Sequence, residues 1–362
     1  MKQDERNISA CELLLAPEIV RRELPLPESA RRQIRAWRQQ IIDILDGRDQ
    51  RFLLIVGPCS IHHPQAALEY ARHLEGLSHQ LSSSMLLVMR AYFEKPRTTL
   101  GWKGLIYDPD LNGEYNIEKG ILTARGLLLQ IAAIGLPVAS ELLDPVMAGY
   151  FSDAVSWAGI GARTTESPTH RQLASGLPMP VGFKNGTDGS LKTALEALTT
   201  VAAAHSFIGV MRNGHTGVFR TKGNPFCHLV LRGGSNGPNY SAQHLKDAQQ
   251  KLAQAGLRQR LLVDCSHGNA NKDIKQQKKV FTSLIEQYCA GNSPLAGAML
   301  ESYLEEGNQV LQTGCQPQAQ ISITDPCLGW EETRKMIIQA DKHIRKNCRL
   351  TLKTGEKYTC CD

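Results

Sequence analysis

Arg51-Phe-Leu-Leu-Ile-Val-Gly-Pro58 sets five apolar side chains side by side and then halts on Gly-Pro. A run this short and unbroken, rich in branched side chains and closed by turn formers, reads as a strand buried on both faces. Similar runs recur at 85–93, 136–142, 154–162, 180–185, 227–234, 260–267 and 295–302. Helical patterns separate them, such as Gln65-Ala-Ala-Leu-Glu-Tyr-Ala-Arg-His-Leu and Leu191-Lys-Thr-Ala-Leu-Glu-Ala-Leu. Strands alternating with helices imply a parallel sheet, and eight of them suggest a closed (β/α)8 TIM barrel. An open doubly wound sheet is the competitor; no GxGxxG follows any strand, which disfavours its dinucleotide-binding form.

Working outward, residues 1–48 read as an N-terminal arm with one helix. Ile34, Trp37, Ile41, Ile42 and Leu45 share one helical face, and Gly47 marks its end. The barrel spans 49–340 and carries an inserted β-hairpin near 205–225, with Asn213-Gly214 at its turn. The segment 341–362 is basic: between Lys342 and Lys357 six bases face one acid, which accounts for five of the six net positive charges. The body is thus nearly neutral, which argues against a nucleic-acid partner.

The 362 residues are 42% hydrophobic and 21% charged, the balance of a globular chain and not of a disordered one. No apolar run is long enough to cross a membrane. The ten cysteines are scattered without a CxxC pair, and the opening residues lack a signal-peptide pattern. A cytoplasmic location with reduced thiols is the expectation.

Each strand run ends in or beside a side chain with chemistry: Cys59, Arg90, Glu141, Arg163, Lys184, Arg232, His267 and Glu301. In a barrel these ends converge on one mouth. Arg90, Lys95, Arg97, Arg163, Lys184 and Arg232 form a cationic set that calls for two phosphate-bearing substrates, or one phosphate and a carboxylate. A single strand-end arginine is more often a salt bridge; the whole set is harder to explain that way, since acids at matching positions are few. Cys59, His267, Glu301 and Asp325 form a mixed soft and hard donor set suited to a divalent transition metal. The glycines of Gly182-Phe-Lys-Asn-Gly-Thr-Asp-Gly189 are expected to let backbone approach a ligand.

Gly57-Pro-Cys-Ser-Ile-His62, Tyr92-Phe-Glu-Lys-Pro-Arg-Thr-Thr99, Gly161-Ala-Arg-Thr-Thr-Glu-Ser167, Gly182–Gly189, Leu231-Arg-Gly-Gly234, Asp264-Cys-Ser-His-Gly-Asn269 and Ser322-Ile-Thr-Asp-Pro326 together resemble class I 3-deoxy-D-arabino-heptulosonate 7-phosphate (DAHP) synthase. The resemblance runs from about residue 10 to about residue 346 and is nearest the feedback-regulated bacterial type. It implies a metal-dependent condensation of phosphoenolpyruvate with erythrose 4-phosphate, the first step of the shikimate pathway. It implies Cys59, His267, Glu301 and Asp325 as metal ligands, for one Mn, Fe, Zn or Co ion per subunit. Phosphoenolpyruvate would be held by Arg90, Lys95, Arg163, Lys184 and Arg232. Erythrose 4-phosphate would be held by Lys95, Pro96, Arg97 and Thr98. Catalytic roles fall to Lys95, Cys59, His267 and Glu141, with Lys95 a proton donor or a purely electrostatic group.

A homodimer or homotetramer is implied as well. Inhibition by an aromatic amino acid, tyrosine foremost, is expected near Pro145, Gly149, Pro178, Phe207 and Gly209, where relatives receive the arm of a partner. Ala148-Gly149 stands where relatives commonly have Pro-Gln, and Pro178 where they have Ser. Two rivals remain: 3-deoxy-D-manno-octulosonate 8-phosphate synthase, disfavoured by Lys95-Pro-Arg-Thr98 and the arm, and a catalytically dead binding subunit, disfavoured because every candidate ligand and cation is present.

Overall fold

The computed structural model describes residues 7–97, 99–291, 293–312 and 315–353, with side chains through 347. Thr98 and the terminal Cys360-Cys361-Asp362 lie outside them. Eight parallel strands close into a barrel. They are β1 (Phe52–Gly57), β2 (Met85–Arg90), β3 (Val138–Glu141), β4 (Trp157–Ile160), β5 (Val181–Lys184), β8 (His228–Leu231), β9 (Leu261–Asp264) and β10 (Leu295–Glu301). β1 closes the ring by pairing with β10 on one side and β2 on the other. The intervening helices are α3 (Pro64–Leu81), α4 (Ile117–Ile134), α5 (Ala148–Phe151), α6 (Pro168–Ser175), α7 (Lys192–Ala202), α8 (Ala242–Gln254), α9 (Ile274–Cys289) and α10 (Trp330–Lys353).

The absence of polar alternation in Phe52–Gly57 has a direct cause. Phe52, Leu54 and Val56 pack outward among the helices, whereas Leu53 and Ile55 pack inward with Val88, Trp157, Val230 and Leu262. Both faces are buried, so both must be apolar. Gly182 serves this interior: a Cβ there would run into the Trp157 ring. Its role is barrel packing, not the ligand approach expected from sequence.

The N-terminal helices are α1 (Pro17–Glu23) and α2 (Glu28–Asp46). α2 buries the apolar face expected of it, and Gly47 ends it at φ +77°. Its last turns join the inner cluster through Ile41, Ile44 and Leu45, so α2 floors the barrel at the end opposite the mouth. β6 (Ser206–Val210) and β7 (Thr216–Arg220) form the inserted antiparallel hairpin between α7 and β8. Its turn spans 211–215, with Met211 N–H donating to His215 O and Gly214 at φ +84°. The arm lies on this turn: Glu18 N–H donates to Arg212 O at 2.8 Å. At the other end, α10 extends into the basic segment, where Arg345 donates to Gln80 O and pairs with Asp341. No described helix is long and apolar enough to cross a membrane.

Candidate active site

Parallel strands point their C-terminal ends one way, and the side chains that close them ring a cavity of about 210 Å³. Arg90, Lys95, Pro96, Arg97, Glu141, Arg163, Lys184, Arg232, His267 and Asp325 all line it. Cys59 and Glu301 lie buried just beneath. Sulfur and carboxylate oxygens of Cys59, Glu301 and Asp325 lie within 4.8 Å of one another.

His267 is not part of that tight group. It sits in a 3-10 turn (His267–Asn269) at φ +53°, with Nδ1 3.1 Å from Asp264 Oδ2 and 2.7 Å from Ser266 Oγ. A histidine held at Nδ1 by a carboxylate keeps Nε2 for a ligand, the usual arrangement at metal centres. One thiol, two carboxylates and a nearby oriented imidazole fit a divalent transition ion. Two ammonium groups balance the cluster's charge: Lys95 Nζ is 3.2 Å from Cys59 Sγ, and Lys272 Nζ is 2.9 Å from Asp325 Oδ1. Burial, reinforced by Glu301, holds the Cys59 thiol above its ordinary pKa against the pull of Lys95 and Arg90. A bound cation would reverse that balance and release a proton.

The cations divide in a way the sequence did not show. Arg90 Nη2 pairs with Glu301 Oε1 at 2.7 Å and lies 4.0 Å over the Tyr92 ring. Lys184 Nζ pairs with Asp264 Oδ2 at 2.7 Å, both side chains buried. The salt-bridge reading therefore holds for these two residues. Arg97, Arg163 and Arg232 have no carboxylate partner among the described residues. Arg97 spends Nε on Trp102 O at 2.9 Å, which leaves the end of its guanidinium for a ligand. Burial, with Arg163 adding to it, lowers the Arg232 pKa against the pull of Asp264. Among the described residues that line the cavity, these three carry guanidinium charge that no carboxylate pairs with.

Glycine backbones set the height of Arg232. Gly233 (φ +69°) abuts Gly268, and Gly234 abuts Gly189, so three loops meet without side chains between them. Asn185 ties the join, accepting from Arg232 N–H at 2.8 Å and donating to Gly233 O at 3.0 Å. Glu141 ends β3 with Oε1 against Gly161, where a Cβ would displace it.

Lys272, Asp264 and Glu94 are site residues that sequence reasoning missed. Asp264 and Glu94 both lie inside quoted motifs. Glu94 is buried and accepts from Leu143 N–H (3.2 Å) and Asp144 N–H (3.1 Å), fastening the Lys95–Arg97 segment to the loop after β3. Burial pushes its carboxyl up to about 8, against those two hydrogen bonds, with Asp144 adding to the rise. Native protein thus holds a proton that the unfolded chain has lost from about pH 4.5 upward, and stability declines with rising pH up to about 8. Glu94→Gln should flatten that decline. Thermal melts between about pH 5 and about pH 9 check it; parallel curves for both proteins would remove Glu94 from the account.

The residues expected at an effector site do not line the mouth; Pro178 lines a second cavity, with Arg21, Arg31, Arg38 and Arg212. Pro145 opens a 3-10 turn (Pro145–Met147), and Gly149 in α5 faces Pro17 of the arm, whose Cγ would lie 3.1 Å from a Cβ. Phe207 stacks on Phe219 with centroids 5.5 Å apart, and Gly209 leaves room for that second ring. Within the chain, Pro17 and Glu18 of the arm reach Gly149 and Arg212 beside these residues.

Residues 26–337 match the model of the DAHP synthetase I family. The Tyr-sensitive phospho-2-dehydro-3-deoxyheptonate aldolase of Escherichia coli is 48% identical, covering 98% of this chain and all of that one. The Trp-sensitive enzyme of Enterobacter agglomerans is 46% identical over 93% of this chain and 96% of its own length. A phospho-2-dehydro-3-deoxyheptonate aldolase structure from Francisella tularensis superposes with a TM-score of 0.91 at 42% identity, covering 94% of this chain and 99% of that one.

Proposed function

This chain belongs to the DAHP synthetase I family and so is an enzyme of the first step of aromatic amino acid biosynthesis, and we propose that its barrel mouth condenses phosphoenolpyruvate with erythrose 4-phosphate and water to give DAHP and phosphate. The observation that carries the reading is the meeting of Arg163, Lys184 and Arg232 with Asp325 and His267 in one cavity directly above Cys59 and Glu301.

Cys59, His267, Glu301 and Asp325 would hold the divalent ion, which supplies Lewis acidity toward the aldehyde. Arg163, Lys184 and Arg232 bind the phosphate of phosphoenolpyruvate and, with Arg90, orient its carboxylate. Arg97 and Thr98 take the phosphate of the aldose, and Pro96 fixes the backbone between Lys95 and Arg97. C3 of phosphoenolpyruvate attacks the aldehyde carbon as Lys95 Nζ gives a proton to the aldehyde oxygen. Water adds at C2 and yields its proton to Glu141. The C2 hydroxyl then passes its proton to the departing phosphate as the C2–O bond to phosphate breaks, leaving the C2 carbonyl, and the three cations stabilise the departing charge.

Regulation by an aromatic amino acid is part of the reading, with tyrosine favoured because relatives named for sensitivity include the Tyr type at 48% identity. Its site would lie among Pro145, Gly149, Pro178, Phe207 and Gly209. A homodimer or homotetramer is supported by the exposed Ile208 and Val218 on the hairpin.

One assay tests the scheme: phosphate release from phosphoenolpyruvate with each aldose phosphate, before and after chelation, then with each aromatic amino acid. Release should require erythrose 4-phosphate, vanish on chelation, return with Mn²⁺, and fall as tyrosine rises. Preference for arabinose 5-phosphate, or full turnover after metal removal, would sink it.

A further inference from the structure

Away from the barrel mouth, five guanidinium groups surround a cavity of about 190 Å³ between the N-terminal helices and the hairpin. Arg21 comes from α1, Arg31, Arg35 and Arg38 from α2, and Arg212 from the hairpin turn. Asp153 is the one acid among the described residues lining it. That carboxylate is already taken: buried Arg125 forks onto both its oxygens at 3.0 and 3.1 Å, and Arg21 Nη2 is a further 3.5 Å contact. Arg31 meets Glu28 at 3.1 Å along the exposed side of α2. Arg38 is turned to the carbonyls of Ser152 and Val155. Arg21 Nε is buried and has no hydrogen-bond partner among the described residues.

Arg35 and Arg212 are exposed while Arg21 is partly buried; charges of one sign gathered this way repel, and a bound anion would offset them. Burial, followed by Arg212, Arg125 and Arg31, holds the Arg21 pKa down against Asp153. The guanidiniums approach from three separate elements. A planar carboxylate offers two acceptors in one plane, whereas a tetrahedral oxyanion offers several directions at once.

We propose that this cavity is a second anion site, distinct from the barrel mouth, that takes a small phosphate-type dianion and thereby clamps the N-terminal arm to the hairpin turn. Its ligand is inorganic phosphate or a small phosphomonoester, which share the tetrahedral dianionic head. The clamp bears on the arm itself, since Glu18 and Arg212 already meet through backbone at 2.8 Å.

The test is calorimetric titration of the full-length chain with inorganic phosphate, and separately with glycerol 1-phosphate, at matched ionic strength. Wild type is compared with Arg31→Gln/Arg35→Gln and, independently, Arg212→Gln. Phosphate bound at the barrel mouth is common to all three proteins, so the difference between isotherms isolates this cavity. The variants should show a Kd about tenfold or more higher at one of two sites, with turnover unchanged. Backbone hydrogen exchange over residues 16–24 should slow on adding the anion in wild type and not in the variants. Response to phosphate alone, or to the ester as well, supports the site and says which source it serves. Identical isotherms and identical exchange in all three proteins would overturn it.

Discussion

Cys59→Ala should leave the chain folded, strip it of divalent metal and lower kcat by about three orders of magnitude. The fold is expected to survive because Cys59 lies past the end of β1, outside the paired strand, and its loss removes one sulfur from a buried but polar corner. The metal is expected to go because the sulfur is the one soft donor in the group, and Glu301 is already committed to Arg90 at 2.7 Å. A Lewis acid contributes several kcal/mol to such a step, and about 4 kcal/mol corresponds to roughly a thousandfold. Elemental analysis of the purified variant and its kcat with added Mn²⁺ are the paired measurements. The outcomes separate two roles. If Cys59 is a ligand, metal content and rate fall together. If it only positions Lys95, whose ammonium contacts both its sulfur and its carbonyl oxygen, the rate falls while metal stays. A metal-replete, fully active variant would take Cys59 out of the site altogether.

The eight strands were readable for the same reason that the site was. A strand covered on both faces must be apolar throughout, so the first charged residue after the run marks its end, and in a barrel that end is the mouth. Arg90, Glu141, Lys184 and Glu301 are each the last residue of their strand. What a linear reading missed is pairing across the ring. Lys184 and Asp264 close β5 and β9, which are not even neighbours; β8 lies between them. Lys272 was hidden differently. It reaches Asp325 from a segment where Asn271 and Lys272 both adopt positive φ, a geometry that neither residue type announces. The floor of the barrel was half legible: the apolar face of α2 was evident, but its partner, the inner cluster, is built from alternate residues of distant strands.

Lys184→Met tests that cross-ring pairing and should cost about 3 kcal/mol of stability as well as most activity. Removing one member of a buried ion pair leaves the other as an uncompensated charge, at about 3–5 kcal/mol. The lower end applies because Asp264 keeps Ser266 N–H at 3.0 Å and Ser266 Oγ at 2.6 Å. In the wild type, burial opposes ionisation of Asp264 but Lys184 and then His267 hold its carboxyl well below the usual range. Its contribution to stability is present at neutral pH and is lost as pH falls through the native pKa. Without Lys184 that pKa climbs, so the deficit should narrow as pH falls toward about 4, because the variant's stranded acid takes up a proton there while the wild-type carboxylate stays ionised against Lys184. Adding Asp264→Asn to the variant removes the stranded charge while keeping an acceptor for Ser266. The double variant should regain most of the lost Tm and none of the activity, because the ammonium proposed above to bind the phosphate is still missing. Recovery of both would mean that Lys184 acts only by neutralising Asp264; recovery of neither would mean that the cost lies in packing and not in charge.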